Sequence, residues 1–142
     1  MASAAQLLER KPRAMHTIDP EAPVLEAIRR MAEHGIGALL VMSGTRLVGI
    51  VSERDYARKV ILKGRSSSDT PVRDVMTSQL HTVPPELDVE ECMKIMTERR
   101  VRHLPVLEGG RLVGILSIGD LVRAVLEQQA YTIEQLENYI HR

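Results

Sequence analysis

The sequence predicts an α/β fold: two βαββα repeats packed about a pseudo-twofold axis, followed by a C-terminal helix. Three observations lead there. First, the chain contains itself twice. Shifted by 65 positions, His16–Val60 lies on His81–Val125 without a gap, and 20 of the 45 aligned pairs are identical, where chance gives roughly 3. Arg46-Leu47-Val48-Gly49-Ile50 returns letter for letter as Arg111-Leu112-Val113-Gly114-Ile115. Second, each copy runs from a stretch of helical period through two short apolar runs into another helical stretch. Third, the chain has 142 residues, 44% apolar and 27% charged, which is enough to bury a core and ordinary for a globular protein.

The elements follow in chain order. A short extended stretch opens each copy, Met15–Ile18 and His81–Val83. Val24, Ala27, Ile28, Met31, Ala32 and Gly35 then fall at helical spacing, with Glu26, Arg29, Arg30 and Glu33 on the outer face. Pro23 suits the first turn of that helix. The second copy offers Val89, Cys92, Met93 and Met96, with Asp88 and Glu91 spaced as a capping box. Next come the apolar runs Ala38–Met42 and Leu47–Val51, parted by Ser43-Gly44-Thr45 (Glu108-Gly109-Gly110 in the second copy), which predict a hairpin of buried strands. A second helix is expected over 53–62 and over 119–127. Lys63–Thr70, with Gly64 and three serines, is a solvated hinge. Thr132 and Gln135 are placed to cap a last helix, Ile133–His141, with the stripe Ile133, Leu136 and Ile140. The domain reading is therefore 8–65 for repeat one, 72–130 for repeat two and 131–142 for a C-terminal amphipathic helix.

Composition excludes several function classes. Nineteen basic and nineteen acidic residues give zero net charge, so no basic stripe for nucleic acid or an anionic membrane is expected. The longest apolar runs are too short to span a bilayer, and Met1–Arg13 has no apolar segment of the signal-peptide kind. The single cysteine, Cys92, cannot form an internal disulfide, which predicts a reducing, cytoplasmic setting. Five histidines and Cys92 show no metal-ligand spacing, so no metal site is expected. Cys92 and the methionines read as core residues. No nucleophile–base or paired-carboxylate constellation stands out, so no catalytic residue or catalytic cofactor is expected.

The βαββα order, the phrase Arg102-His103-Leu104-Pro105-Val106, and the motif Gly-x-x-Ser-x-x-Asp resemble a tandem pair of cystathionine-β-synthase (CBS) domains. The motif stands here as Gly49-Ile50-Val51-Ser52-Glu53-Arg54-Asp55 and as Gly114-Ile115-Leu116-Ser117-Ile118-Gly119-Asp120. Val72-Arg73-Asp74-Val75-Met76-Thr77 resembles the family's lead-in to a repeat. Nothing catalytic flanks the pair, so it looks like a free-standing member. The spacing has its own chemistry. Ser52 and Asp55, like Ser117 and Asp120, share one face at a helix start. A carboxylate there suits the positive helix end and can accept from both hydroxyls of a ribose, while serine and backbone N–H groups can meet a ribose oxygen or phosphate. Read without the resemblance, the same pairs are a helix cap and a first-turn acid.

The resemblance implies an adenosine compound, AMP, ATP or NAD, in the cleft between repeats, with the Asp of one repeat on the ribose and the other repeat holding the base. The base pocket would be Ile18, Ala22, Ile36, Gly37 and Ala38 in repeat one, and Val83, Leu87, Val101, Arg102 and His103 in repeat two. By resemblance Arg102 and His103 face the phosphate, Arg102 through a permanently charged fork and His103 by adding charge near neutrality. Two departures from the family pattern predict unequal pockets. Gly37 and Ala38 stand where repeat two has Arg102 and His103. Ala22 and Leu87 stand where many members carry a Thr near the base. The function expected is an adenine-nucleotide sensor that forms a homodimer and signals to a downstream protein by ligand-linked conformational change. The rival is a structural or dimerisation module with vestigial pockets. Leu121, Val122, Val125 and Ile61, with the C-terminal stripe, are the candidate dimer contacts.

Overall fold

The computed structural model describes residues 2–11 and 15–141. Its elements are α1 (Ala4–Glu9), β1 (Thr17–Ile18), α2 (Val24–His34), β2 (Ala38–Ser43), β3 (Arg46–Ser52), α3 (Glu53–Tyr56), α4 (Val89–Arg99), β4 (His103–Glu108), β5 (Arg111–Ser117) and α5 (Ile118–Ile140). This is the α/β architecture of two repeats with a C-terminal helix. A π-helical turn, Ala57–Ile61, continues α3, and a short 3-10 turn covers Val72–Asp74. Two compact units form. One holds residues 14–80, the other residues 1–13 together with 81–142.

In the unit of residues 14–80, β1 runs parallel to β2, and β2 pairs antiparallel with β3. The hairpin carries a bulge between Val41 and Met42. Helix α2 lays Val24, Ala27 and Met31 onto this sheet, as its periodicity predicts, and the core adds Ile18, Leu39, Val41, Val51, Val60, Val72 and Val75. Gly35 ends α2 in the left-handed conformation. The other unit repeats the plan: β4 pairs antiparallel with β5, with the same bulge between Val106 and Leu107. Its first extended stretch forms no strand, only a single parallel bridge from Val83 to Val106. Its core gathers Val83, Val89, Cys92, Met96, Leu104, Val106, Leu116, Leu121 and Ala124. Asp88 caps α4 by accepting from the Glu91 N–H, 2.9 Å away. At the end of α4, Arg100 takes the left-handed conformation that Gly35 holds in the first copy (φ 55° against 62°).

The segments before each repeat pack differently from the expected boundaries. Val72 and Val75, read as the lead-in to repeat two, are fully buried in the core of repeat one. Ala4 and Leu7, at the start of the chain, are buried in the core of repeat two. The two placements match at a shift of 68. The Val72 and Arg73 N–H groups donate to the Ala22 and Pro20 carbonyls, and the Ala4 and Ala5 N–H groups donate to Leu87 and Pro85 in the same way. Residues 8–11 of the expected first repeat therefore belong to the compact unit of the second, and residues 12–14 lie outside the described ones.

The last helix also differs from expectation. The stretches expected as 119–127 and 133–141 form one 23-residue helix, α5, because nothing between them breaks it: Ala130–Thr132 hold no Gly or Pro. Thr132 is no cap; its hydroxyl donates back to the Gln128 carbonyl. Leu121 is fully buried in its own core, so it is not a free interface residue. Among the described residues no helix is long and apolar enough to cross a membrane.

Candidate functional site

Each hairpin delivers a serine to a helix start. Ser52 ends β3 opposite Ala38, and Ser117 ends β5 opposite His103. Both turn directly into a helix, and both become its N-cap. The Asp55 N–H donates to Ser52 Oγ at 3.1 Å, and Asp55 Oδ2 accepts from the Ser52 N–H at 3.0 Å. Ser117 and Asp120 form the same reciprocal box at 3.2 and 2.8 Å. The cap satisfies two N–H groups that a helix start leaves unpaired, and it fixes the rotamer of the aspartate. The helix-cap reading of these pairs therefore holds. Each cap also fixes where its carboxylate points.

The second carboxylate oxygen distinguishes the sites. Asp55 Oδ1 accepts from Thr77 Oγ1 at 3.2 Å and faces Lys59 Nζ, also at 3.2 Å. Lys59 donates in addition to the Val75 carbonyl at 2.9 Å. Asp120 meets a different lysine. Lys11 Nζ lies 2.8 Å from Asp120 Oδ2 and 2.8 Å from the Ile115 carbonyl, and Arg123 Nη1 stands 3.8 Å from Oδ1. Burial alone would raise the Asp120 pKa, but the bonds from Lys11 and Ser117 together hold it below the ordinary carboxylate range. A cavity of about 140 Å³ borders this pair, lined by Leu7, Arg10, Lys11, Asp120, Ala124 and neighbours on α5.

The remaining predicted residues fall into two groups. Ile36, Gly37 and Ala38 lead into β2 beside Ser52, and the Gly37 carbonyl accepts from the Glu53 N–H at 3.0 Å. Val101, Arg102 and His103 occupy the matching place beside Ser117, where the Arg102 carbonyl accepts from the Ile118 N–H. Arg102 is exposed and His103 half-buried. The others sit deeper. Ile18 and Val83 are core residues with about 2% exposure, and Ala22 and Leu87 pack against those cores. His103 corrects an expectation. Burial, with the charges of Lys11 and Arg102 beside it, lowers its pKa against the pull of Asp120. The ring is thus held neutral at pH 7 and offers a hydrogen bond rather than a charge.

Sequence reasoning missed Lys11 and Thr77. Both lie on lead-in segments that repeat at a shift of 68, not 65, and Ser3–Leu8 shares no identical residue with Pro71–Met76. The signal present was spacing alone: Ala4, Leu7 and Leu8 match Val72, Val75 and Met76 at i, i+3 and i+4. Cys92 is a core thiol whose pKa burial pushes up to about 11. Among the described residues no cluster of His, Cys, Asp or Glu is placed to hold a metal.

Comparison with known proteins agrees with this geometry. The family model for the CBS domain matches residues 7–62 and 72–127. A solved structure from Burkholderia ambifaria, described as a signal-transduction protein with CBS domains, shares 51% identity and superposes with a TM-score of 0.87, covering 90% of this chain and 96% of that one. The mitochondrial CBS domain-containing protein CBSX3 of Arabidopsis thaliana is 43% identical over 122 residues, which are 82% of this chain and 59% of the relative. A hexameric CBS-CP12 protein from bloom-forming cyanobacteria is 29% identical with a TM-score of 0.76, over 85% of this chain and 70% of that one. The chain spans about three fifths of the length of CBSX3. The chain belongs to the CBS-domain family, whose domain pairs are regulatory, ligand-binding modules.

Proposed function

We propose that this CBS-domain chain is a regulatory module that binds an adenine nucleotide (AMP, ATP or NAD) through the Ser52–Asp55 and Ser117–Asp120 caps and passes the binding on as a conformational change. One observation carries the reading: the same Ser–Asp box stands at the same strand end in both units, with Oδ2 of each aspartate engaged by the cap. In the first unit Oδ1 of Asp55 is held only by 3.2 Å contacts from Thr77 and the half-exposed Lys59, which a ribose diol can replace. Ile36, Gly37 and Ala38 stand beside the Ser52–Asp55 cap and Val101, Arg102 and His103 beside the Ser117–Asp120 cap, where Arg102 offers a fixed charge to a phosphate. The buried thiol of Cys92 suits a reducing compartment, in our reading the cytoplasm.

The test is thermal. A ligand that binds only the folded state at 100 times its Kd stabilises it by about 2.7 kcal/mol, several degrees for a chain of this size. AMP, ATP and NAD are expected to raise the Tm, and GMP and CMP are not. Asp55→Ala should lower affinity at least about tenfold through lost hydrogen bonds to a charged acceptor. A Tm unmoved by every adenine compound at millimolar concentration would select the vestigial-pocket reading.

Self-association belongs to the same reading. From Leu126 to Ile140 every residue of α5 is exposed. We assign that half of the helix to a homodimer contact, with a further protein reading the ligand state.

A further inference from the structure

Each cap aspartate has one lysine, but the lysines come from different places. Lys59 lies on the same helix as Asp55, four residues on, and is 43% exposed. Its counterpart in the second repeat is Ala124, which reaches nothing. The space Lys59 would fill there is taken by Lys11, from a segment more than a hundred residues away in sequence, and what remains is the cavity of about 140 Å³. The segment is anchored on three sides. Ala4 and Leu7 are buried, Leu8 covers Gly114, and the Lys11 ammonium bridges the Ile115 carbonyl and Asp120. The Asp120 side chain is 11% exposed. A pocket for a drug-sized ligand usually measures about 300 Å³ or more.

We propose that Lys11 is the gate of the second-repeat site: while its ammonium holds the Asp120 carboxylate, that site is closed to a ribose, and its release opens it. The gate deepens the nucleotide reading and rests on it for the identity of the ligand. The physical step is an exchange. A diol that takes both carboxylate oxygens of Asp120 must replace the Lys11 ammonium, 2.8 Å from Oδ2 and carried by a segment packed in the core, whereas the lysine at Asp55 belongs to that aspartate's own helix. The two carboxylates are about equally covered, 12% exposed at Asp55 and 11% at Asp120; what differs is that the second is held from the N-terminal segment. Displacement of the segment is an output that a partner can read.

Chemical access to Asp120 tests the gate without any ligand. The protein is treated with a water-soluble carbodiimide and glycinamide, and peptides are read by mass spectrometry. In the wild type we expect a direct amide cross-link between Lys11 and Asp120 and little glycinamide on Asp120. Lys11→Ala should raise glycinamide labelling of Asp120 about fivefold, the scale of one partly exposed ion pair. Lys11→Arg, which keeps the charge, should leave it low. Equal labelling in all three proteins overturns the gate. In an Asp55→Ala background, so that only the second site is read, Lys11→Ala should tighten AMP about fivefold by the same exchange. Unchanged or weaker AMP binding also overturns it. AMP binding to none of the proteins would sink the nucleotide reading instead, and the labelling result would still decide whether Lys11 closes the site.

Discussion

Asp120 and His103 show how one exchanged residue reaches a neighbour's chemistry. Lys11 lowers the carboxyl of Asp120 by direct bonding, and its charge also helps to hold His103 neutral. The groups that face His103 are Lys11, Asp120 and Arg102; burial is the largest influence, Lys11 and Arg102 act with it, and only Asp120 opposes it. The pH dependence follows from the direction of the shift. The folded ring has a pKa below its ordinary 6.5. Above pH 6.5 both folded and unfolded chains carry it neutral, and the stability linked to it is fully present. As the pH falls below 6.5, the unfolded chain takes up a proton that the folded one refuses, so stability declines. Wild-type protein should therefore lose more stability between pH 7.5 and 5.5 than His103→Asn does, measured by urea midpoints at both values. Equal losses would mean that burial at His103 exerts no such control.

Among the elements, the lead-in segments decide whether a unit is complete. Gly49 and Gly114 stand mid-strand where these segments cross, and each leaves no room for a Cβ. At Gly49 it would lie 2.7 Å from Met76 Sδ and 3.0 Å from the Thr77 carbonyl oxygen; at Gly114 it would meet only the end of the Leu8 side chain, at 2.6 Å. Thr77 is fixed by paired backbone bonds with Ile50, whereas Leu8 can rotate away. Gly49→Ala should thus cost about 2–3 kcal/mol, and Gly114→Ala about 1 kcal/mol. Equal denaturation midpoints for the two variants would contradict the difference in lead-in rigidity. The same contrast marks what the sequence could reveal. The hairpins and α2 were legible because apolar period and turn residues act locally, and Ser52, Asp55, Ser117 and Asp120 were legible because a cap needs its partners three residues apart. Ala4, Leu7 and Lys11 were not, since their partners lie more than eighty residues away. The join of α5 was missed because Thr132 and Gln135 have the spacing of a cap, yet no Gly or Pro stands before them to end the helix.

On the scale of the molecule, the far half of α5 is the surface with most left to cover. A helix of this length alone in water is marginal, and from Leu126 onward no core residue supports it. Its exposed apolar side chains have a regular spacing: Val122, Leu126, Ile133, Leu136 and Ile140 fall on a 4-3-4-3-4 repeat whose one polar member is Gln129. That is the spacing of a coiled-coil seam, and the charges beside it favour one direction for two copies paired there. Laid antiparallel about Tyr131, two copies set Leu126 against Leu136 of the partner subunit and Val122 against Ile140 of the partner subunit. Arg123 then comes opposite Glu137 of the partner subunit, twice by symmetry. A parallel pairing gives these charges no opposite number. The protein should therefore scatter light as a dimer, and Leu126→Glu with Ile133→Glu should give a folded monomer, since neither side chain supports the cores. Glu137→Arg should weaken the dimer about fivefold by setting like charges together, and adding Arg123→Glu should restore it. A monomer at micromolar concentration, or charge reversals without effect, would remove α5 as the contact.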